Sequence, residues 1–252
     1  MDTFHKLNST ENKDTFIQEE KGLELLNKAI EETNNRYISI PKIVCATEDE
    51  LEIEKIDIHS STKESFRDLG IGLALLHEYT NNSYGLEYDN YIGLNKQRNM
   101  LSQNWGLFFV EYRLQYQINL IKDEKIKNKF QTVLDETKNN LIRFLNENCD
   151  KPSLVHGDLW GGNILFGKSK IYLIDPAVYF ADREVDIAMT KIFSGFDDIF
   201  YKFYNKTSPL SKNYLQKEPI YNLYHYLNHY NLFGISYLNS CIECLNHLKT
   251  FK

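Results

Sequence analysis

Between residues 153 and 175 the chain reads SLVHGDLWGGNILFGKSKIYLID, three brief apolar runs cut apart by glycine-containing turns. Runs of this length predict short strands at 153–156, 163–166 and 171–174. The sequence around them has a helical period instead. Residues 123–148 place Phe130, Leu134, Leu141 and Leu145 along one side, and 102–120 reads as a second long amphipathic helix. Residues 12–32 carry Phe16, Leu23, Leu26 and Ile30 at helical spacing. A further helix starts near Ser61 or Thr62 and runs to about Tyr79, with Leu69, Leu73 and Leu76 on one side. Between those two helices, IVCATEDELEIEKIDI has β-branched runs on both sides of a polar turn and reads as a hairpin. Residues 81–94 are turn-rich, too irregular for a long element. After Glu184 the pattern is helical to the end, broken near Pro209 and Pro219. The prediction is an α+β chain with two parts. A small mixed lobe spans residues 1–57, and a mostly helical lobe with a compact patch of short strands spans 58–252.

Composition narrows the function. The 252 residues hold 29 Lys plus Arg against 35 Asp plus Glu, a net charge of −6. This balance argues against sequence-independent binding to a phosphate backbone, so no nucleic-acid partner is expected. No apolar stretch approaches the roughly 20 residues of a membrane span. Nor does a charged region lead into an apolar one as in a secretory leader, so neither a membrane nor export is expected. Four cysteines, at 45, 149, 241 and 244, are too few and too uneven for a disulfide framework. The expected compartment is a reducing cytoplasm.

Chemistry concentrates at the ends of the short strands. One run leads into His156-Gly157-Asp158, another into Asp175-Pro176, with Asn163 between them. A carboxylate at a strand end is fixed by the backbone and exposed by the turn. A second one 17 residues later, after two short strands, can return to the same mouth. With the intervening amide, this is an oxygen-rich site suited to Mg²⁺. Asp158 is then free to orient or deprotonate a hydroxyl acceptor. Aspartates also commonly cap turns, but the complete H-G-D-x4-N followed by I-D favours the site.

The same residues carry a family resemblance. VHGDLWGGNILF with IDPAVYFADREVDIAMTKIFSGF resembles the fructosamine kinases, or ketosamine 3-kinases, within the protein-kinase-like superfamily of aminoglycoside phosphotransferases and choline kinases. EYDNYIGLNKQRN and NWGLFFVEYRL, from 87 to 114, and YNLYHYLNHYNLFG, residues 221–234, are similar to the same family. The resemblance implies a two-lobed kinase-like fold and ATP-dependent phosphorylation of a sugar hydroxyl, at C3, on free or protein-linked ketosamines. It implies that Asp158 is the catalytic aspartate and that Asn163 and Asp175 hold Mg²⁺ against ATP phosphates. It further implies that His156 supports the catalytic loop, that Trp160 walls the sugar site, and that Asp186 stabilises the loop or the large lobe. Lys6 in FHKLN matches the phosphate-contacting lysine. Glu20 matches the helix glutamate that pairs with it, with Glu19 the adjacent competitor. Glu54, Lys55 and Ile56 match the connection whose backbone meets adenine.

The chain departs from the family at its start. Members carry two strands and a glycine-rich turn before the lysine strand, whereas five residues precede Lys6. The expectation is a small lobe lacking its first strands and glycine-rich loop, with weaker ATP binding. Two other readings compete: a phosphotransferase for an aminoglycoside or choline-like substrate, and a catalytically impaired binding protein. Cys241-x-x-Cys244 and the His225/His229 pair, one helical turn apart, read as packing or cavity lining more than as metal ligands.

Overall fold

The computed structural model describes residues 2–252. The first part contains β1 (Thr3–Leu7), α1 (Thr15–Glu32), β2 (Ile38–Ser39), β3 (Ile43–Ala46) and β4 (Glu50–Glu54). Strands β1, β4 and β3 form an antiparallel sheet in that order, with Lys6 opposite Leu51. The expected hairpin is the β3–β4 pair. Along β4, Leu51 and Ile53 point inward while Glu50, Glu52 and Glu54 take the other face, the period of two of a half-buried strand. Phe16 of α1 packs on Leu51 and Ile53 as a separate small cluster. The rest of that helix face, Leu23, Leu26, Ala29 and Ile30, belongs to the main core. Strand β2, within residues 1–57, leaves the small sheet altogether and pairs with a strand of the larger part.

The larger part begins with α2 (Lys63–Leu76), closed at its start by a reciprocal Thr62–Ser65 capping box. A hairpin follows, β5 (Asn90–Ile92) with β6 (Asn95–Gln97). Helix α3 (Trp105–Phe108), a π-helical stretch over Phe109–Gln115 and α4 (Tyr116–Leu120) run on as one rod, where the sequence predicted an ordinary helix. Helix α5 (Glu124–Glu147) starts at Asp123, whose side chain accepts from the N–H groups of Lys125 and Ile126, and buries all four predicted apolar residues.

Next come β7 (Ser153–Val155), β8 (Ile164–Phe166), β9 (Ile171–Leu173) and β10 (Tyr179–Ala181). The first three lie within one residue of the expected bounds. Strand β9 is flanked by β8, antiparallel, and by β2, parallel, while β10 pairs with β7. The chain ends in α6 (Glu184–Met189), α7 (Asp198–Thr207), α8 (Tyr214–Phe233) and α9 (Leu238–Leu248). Helix α7 ends just before Pro209, as expected, but Pro219 breaks nothing. It sits in the second turn of α8, where the residue whose carbonyl loses its partner, Leu215, is exposed. Cys241 and Cys244 are buried in α9 without a disulfide and pack as small apolar residues. Helices α2 and α7 touch backbone to backbone, since a Cβ on Gly70 would lie 2.4 Å from the Phe200 carbonyl oxygen. Among the described residues, no helix is long and apolar enough to cross a membrane.

Candidate active site

Strand β7 is buried throughout and delivers the chain to His156-Gly157-Asp158. Gly157 has φ +84°, and a Cβ there would lie 2.0 Å from the Ala177 carbonyl oxygen, so only glycine fits. The turn is held from behind by Asp186. Its carboxylate accepts from the His156 N–H at 2.7 Å, the Gly157 N–H at 2.9 Å and His77 Nε2–H at 3.2 Å. Burial pushes Asp186 up, but the hydrogen bonds and the nearby histidines outweigh it and hold the carboxyl below its ordinary value. His156 itself is buried and kept neutral by that burial. Its Nε2–H donates to the Ile174 carbonyl at 2.9 Å and its Nδ1 accepts the Asp158 N–H at 3.3 Å, which sets the tautomer. The imidazole therefore ties the loop before Asp158 to the strand end before Asp175.

Asp158 and Asp175 meet at a cavity of about 410 Å³ that Lys6, Glu19, Trp160 and Asn163 also line. Burial first, and then the charge of Asp175, push the Asp158 carboxyl up to about 7, against a lowering hydrogen bond from Asn163. Asn163 donates its Nδ2 to the Asp158 backbone carbonyl at 2.9 Å. Asp175 adopts φ +54°, a backbone conformation that non-glycine residues reach only when their surroundings enforce it. Lys6 bonds both Asp175 and Glu19, the latter at 2.5 Å. Burial disfavours the Lys6 charge, but the two carboxylates prevail and raise its pKa, so the ammonium stays charged. Glu19 is pushed up to about 7, chiefly by burial, with Lys6 opposing and Asp175 reinforcing.

The expected pairing of Lys6 with Glu20 is therefore corrected: Glu19 makes the bond. One residue along a helix turns the side chain by about 100°, and Glu20 faces Glu24 and Lys21 instead. Glu54, Lys55 and Ile56 are not among the residues that line this cavity. The Glu54 N–H is taken by the Lys42 carbonyl at 2.8 Å and the Lys55 N–H by the Asp2 carbonyl at 3.0 Å, so an adenine edge would meet the other backbone groups of this connection. Trp160 is 40% exposed and opens an aromatic wall, its ring edge-on to Phe193, which in turn contacts His229. The sequence reading missed the hairpin β5–β6 as a support. Asn90 donates to the Val178 carbonyl and Gln97 to the Ala177 carbonyl, both at 2.9 Å, just beyond Asp175. It also missed His77, which lies 109 residues from Asp186 in sequence.

Among the described residues, no three His, Cys, Asp or Glu side chains converge as a metal cluster. Mg²⁺ needs no such cluster, since it takes one or two carboxylates and completes its shell with water and phosphate oxygens. The donors at hand are all oxygens: the Asn163 amide oxygen and the Asp175 carboxylate, beside Asp158. They fit a Mg²⁺ ion that arrives with its phosphates.

A family model described as fructosamine kinase matches residues 1–250. A Vibrio vulnificus protein named "probable ketoamine kinase" is 39% identical over 191 residues, covering 75% of this chain and 65% of that protein. A Synechocystis protein of the same name is 36% identical over 248 residues, covering 96% and 81%. The chain thus matches just under two thirds of the length of the first and most of the second. The crystal structure of a Haemophilus somnus protein described as a fructosamine-3-kinase superposes with a TM-score of 0.83 at 28% identity, covering 98% of this chain and 83% of that one. The small sheet and large helical lobe are therefore the kinase-like architecture, and the chain belongs to the fructosamine kinase family.

Proposed function

We propose that the chain transfers the γ-phosphoryl group of ATP to a sugar hydroxyl of a ketosamine, at C3, with residues 1–57 and 58–252 as its two lobes. The observation that carries this reading is the convergence on one cavity of Lys6, Glu19, Asp158, Asn163 and Asp175, from separate chain segments. The names of the relatives support a ketoamine acceptor, and the Haemophilus somnus protein's name supports position 3. Lys6, kept charged by Glu19, binds phosphate oxygens. Asp158 accepts the proton as the acceptor oxygen bonds to the γ-phosphorus and the bond to the ADP oxygen breaks. Asn163 and Asp175 hold Mg²⁺, which offsets phosphate charge when bound. Trp160 offers an apolar face to the sugar. His156 and Asp186 position the loop without touching substrate. Four unpaired cysteines support a reducing, cytoplasmic setting.

The test is an assay with Mg²⁺ and ATP against a ribulosamine, a fructosamine, an aminoglycoside and choline. Ketosamine turnover is expected, with a fall of at least about 10³-fold in Asp158→Asn, the scale of a lost general base. Turnover of an aminoglycoside or choline alone would overturn the substrate assignment. Unchanged turnover in Asp158→Asn would overturn the base.

A further inference from the structure

Helix α8 brings one side-chain amide to the cavity, Asn228, backed by amides of the rod and of α8 that lie behind it. Asn228 is 2% exposed, yet it lines the cavity. Its Oδ1 accepts two donors, Asn95 Nδ2 at 2.8 Å and Gln117 Nε2 at 3.3 Å. Its Nδ2 has no partner among the described residues. Which end of an amide is nitrogen must be argued from its neighbours, and here the argument ends on a backbone atom. Asn231 lies against the Gln117 backbone carbonyl, which can only accept, so the atom 2.9 Å away is Asn231 Nδ2. The same Nδ2 donates at 2.8 Å to Gln117 Oε1, which turns Gln117 Nε2 toward Asn228. Asn228 must therefore offer Oδ1 to Gln117 and Asn95 and leave Nδ2 to the cavity.

The next residue supplies the opposite polarity. His229 Nδ1 lies 2.8 Å from the His225 carbonyl and so carries the proton, and burial keeps the ring neutral. Its Nε2 is left as an acceptor, on a ring packed between Phe193 and Phe233. A fixed donor beside a fixed acceptor, near the apolar face of Trp160, suits a hydroxylated ring. Fixed polar groups set beside apolar side chains are what orient a ligand.

We infer that Asn228 is a specificity-determining contact whose Nδ2 donates to an acceptor-sugar hydroxyl other than the one phosphorylated, with Asn231 and Gln117 as positioning residues. The inference rests on the ketosamine reading above and assigns it a second point of recognition, away from Asp158. The unpartnered donor at the end of a rooted chain of amides is its basis. An acceptor lacking that hydroxyl leaves the donor unpaired and is bound more weakly.

The experiment uses fructosyl-lysine and its ring-deoxy analogues with Mg²⁺ and ATP. Asn228→Leu keeps the side-chain size and removes the donor. It is expected to raise the fructosyl-lysine KM roughly fivefold to tenfold, the worth of one neutral hydrogen bond, with ATP affinity by calorimetry unchanged. Asn231→Leu, outside the cavity, should raise the same KM by a smaller factor by freeing Gln117 to turn. With the unmodified protein, one deoxy analogue should show the same penalty, and Asn228→Leu should show no further loss with it. That series needs no variant to fold. An unchanged KM in folded Asn228→Leu, an equal loss of ATP affinity, or a deoxy series without a sensitive position would each overturn the inference alone. No ketosamine turnover by the unmodified protein would overturn the functional reading, and this inference with it.

Discussion

Replacing Asp186 by Asn changes almost nothing in size and removes a charge that three buried donors share. Oδ2 serves the His156 N–H and His77 Nε2–H, and Oδ1 serves the Gly157 N–H. An amide has one oxygen, so in either orientation its NH₂ faces at least one N–H. Breaking a buried charged network from one side costs about 3–5 kcal/mol. At about 2–4 °C per kcal/mol for a chain of this size, the midpoint of thermal unfolding should fall on the order of 10 °C. The turn carrying Asp158 loses its anchor at the same time, and small displacements of a reacting group are costly, so kcat should fall by at least about tenfold. Calorimetric melting and steady-state kinetics read the two effects. A variant that melts within about 2 °C of the parent and keeps its kcat would refute the claim that Asp186 holds the loop.

Two further outcomes are expected. Glu19→Gln should weaken Mg²⁺–ATP binding roughly tenfold by calorimetry, about 1.5 kcal/mol for a hydrogen bond to a charged group, while Glu20→Gln leaves it unchanged; the reverse would restore the pairing the sequence suggested. Acid should destabilise the fold below about pH 6.5. Burial keeps His77 and His156 neutral, and burial with His229 pushes His225 down to about 3. The unfolded chain takes up protons near the ordinary histidine value of about 6.5 and the folded chain does not, a loss of up to about 1.4 kcal/mol per pH unit for each histidine. Asp158 and Glu19, both pushed up to about 7 in the folded chain, act with the opposite sign, and three histidines against two carboxyls leave stability falling as pH drops. Urea unfolding at pH 7.5, 6.0 and 5.0 checks this, and a flat profile would contradict it.

The short strands around Asp158 were legible because each is a brief apolar run stopped by a glycine turn, a pattern that needs no tertiary partner. The Glu19 or Glu20 choice was not legible from spacing. Both sit on one turn of α1, and only the direction from which Lys6 arrives decides between them. The β5–β6 hairpin escaped because Asn90-Tyr91-Ile92 and Asn95-Lys96-Gln97 lack alternation. Asn90 and Gln97 are instead held by hydrogen bonds that their side-chain amides donate to backbone carbonyls some 80 residues away. His77 closes helix α2 and reads as a helix end, and its bond to Asp186 exists only after folding. Pro219 misled because a proline is tolerated where the carbonyl behind it faces water.

Helix α1 divides its allegiance, with Phe16 in the small cluster and Leu23, Leu26, Ala29 and Ile30 in the main core. The small sheet is thus fastened to a helix rooted in the other lobe. Glu19 is part of the stationary frame, while Lys6 rides on the sheet. Any relative displacement of the lobes during turnover is then a sliding of Lys6 across a fixed carboxylate, resisted by its bonds to Glu19 and Asp175 and by the packing of Phe16 on Leu51 and Ile53.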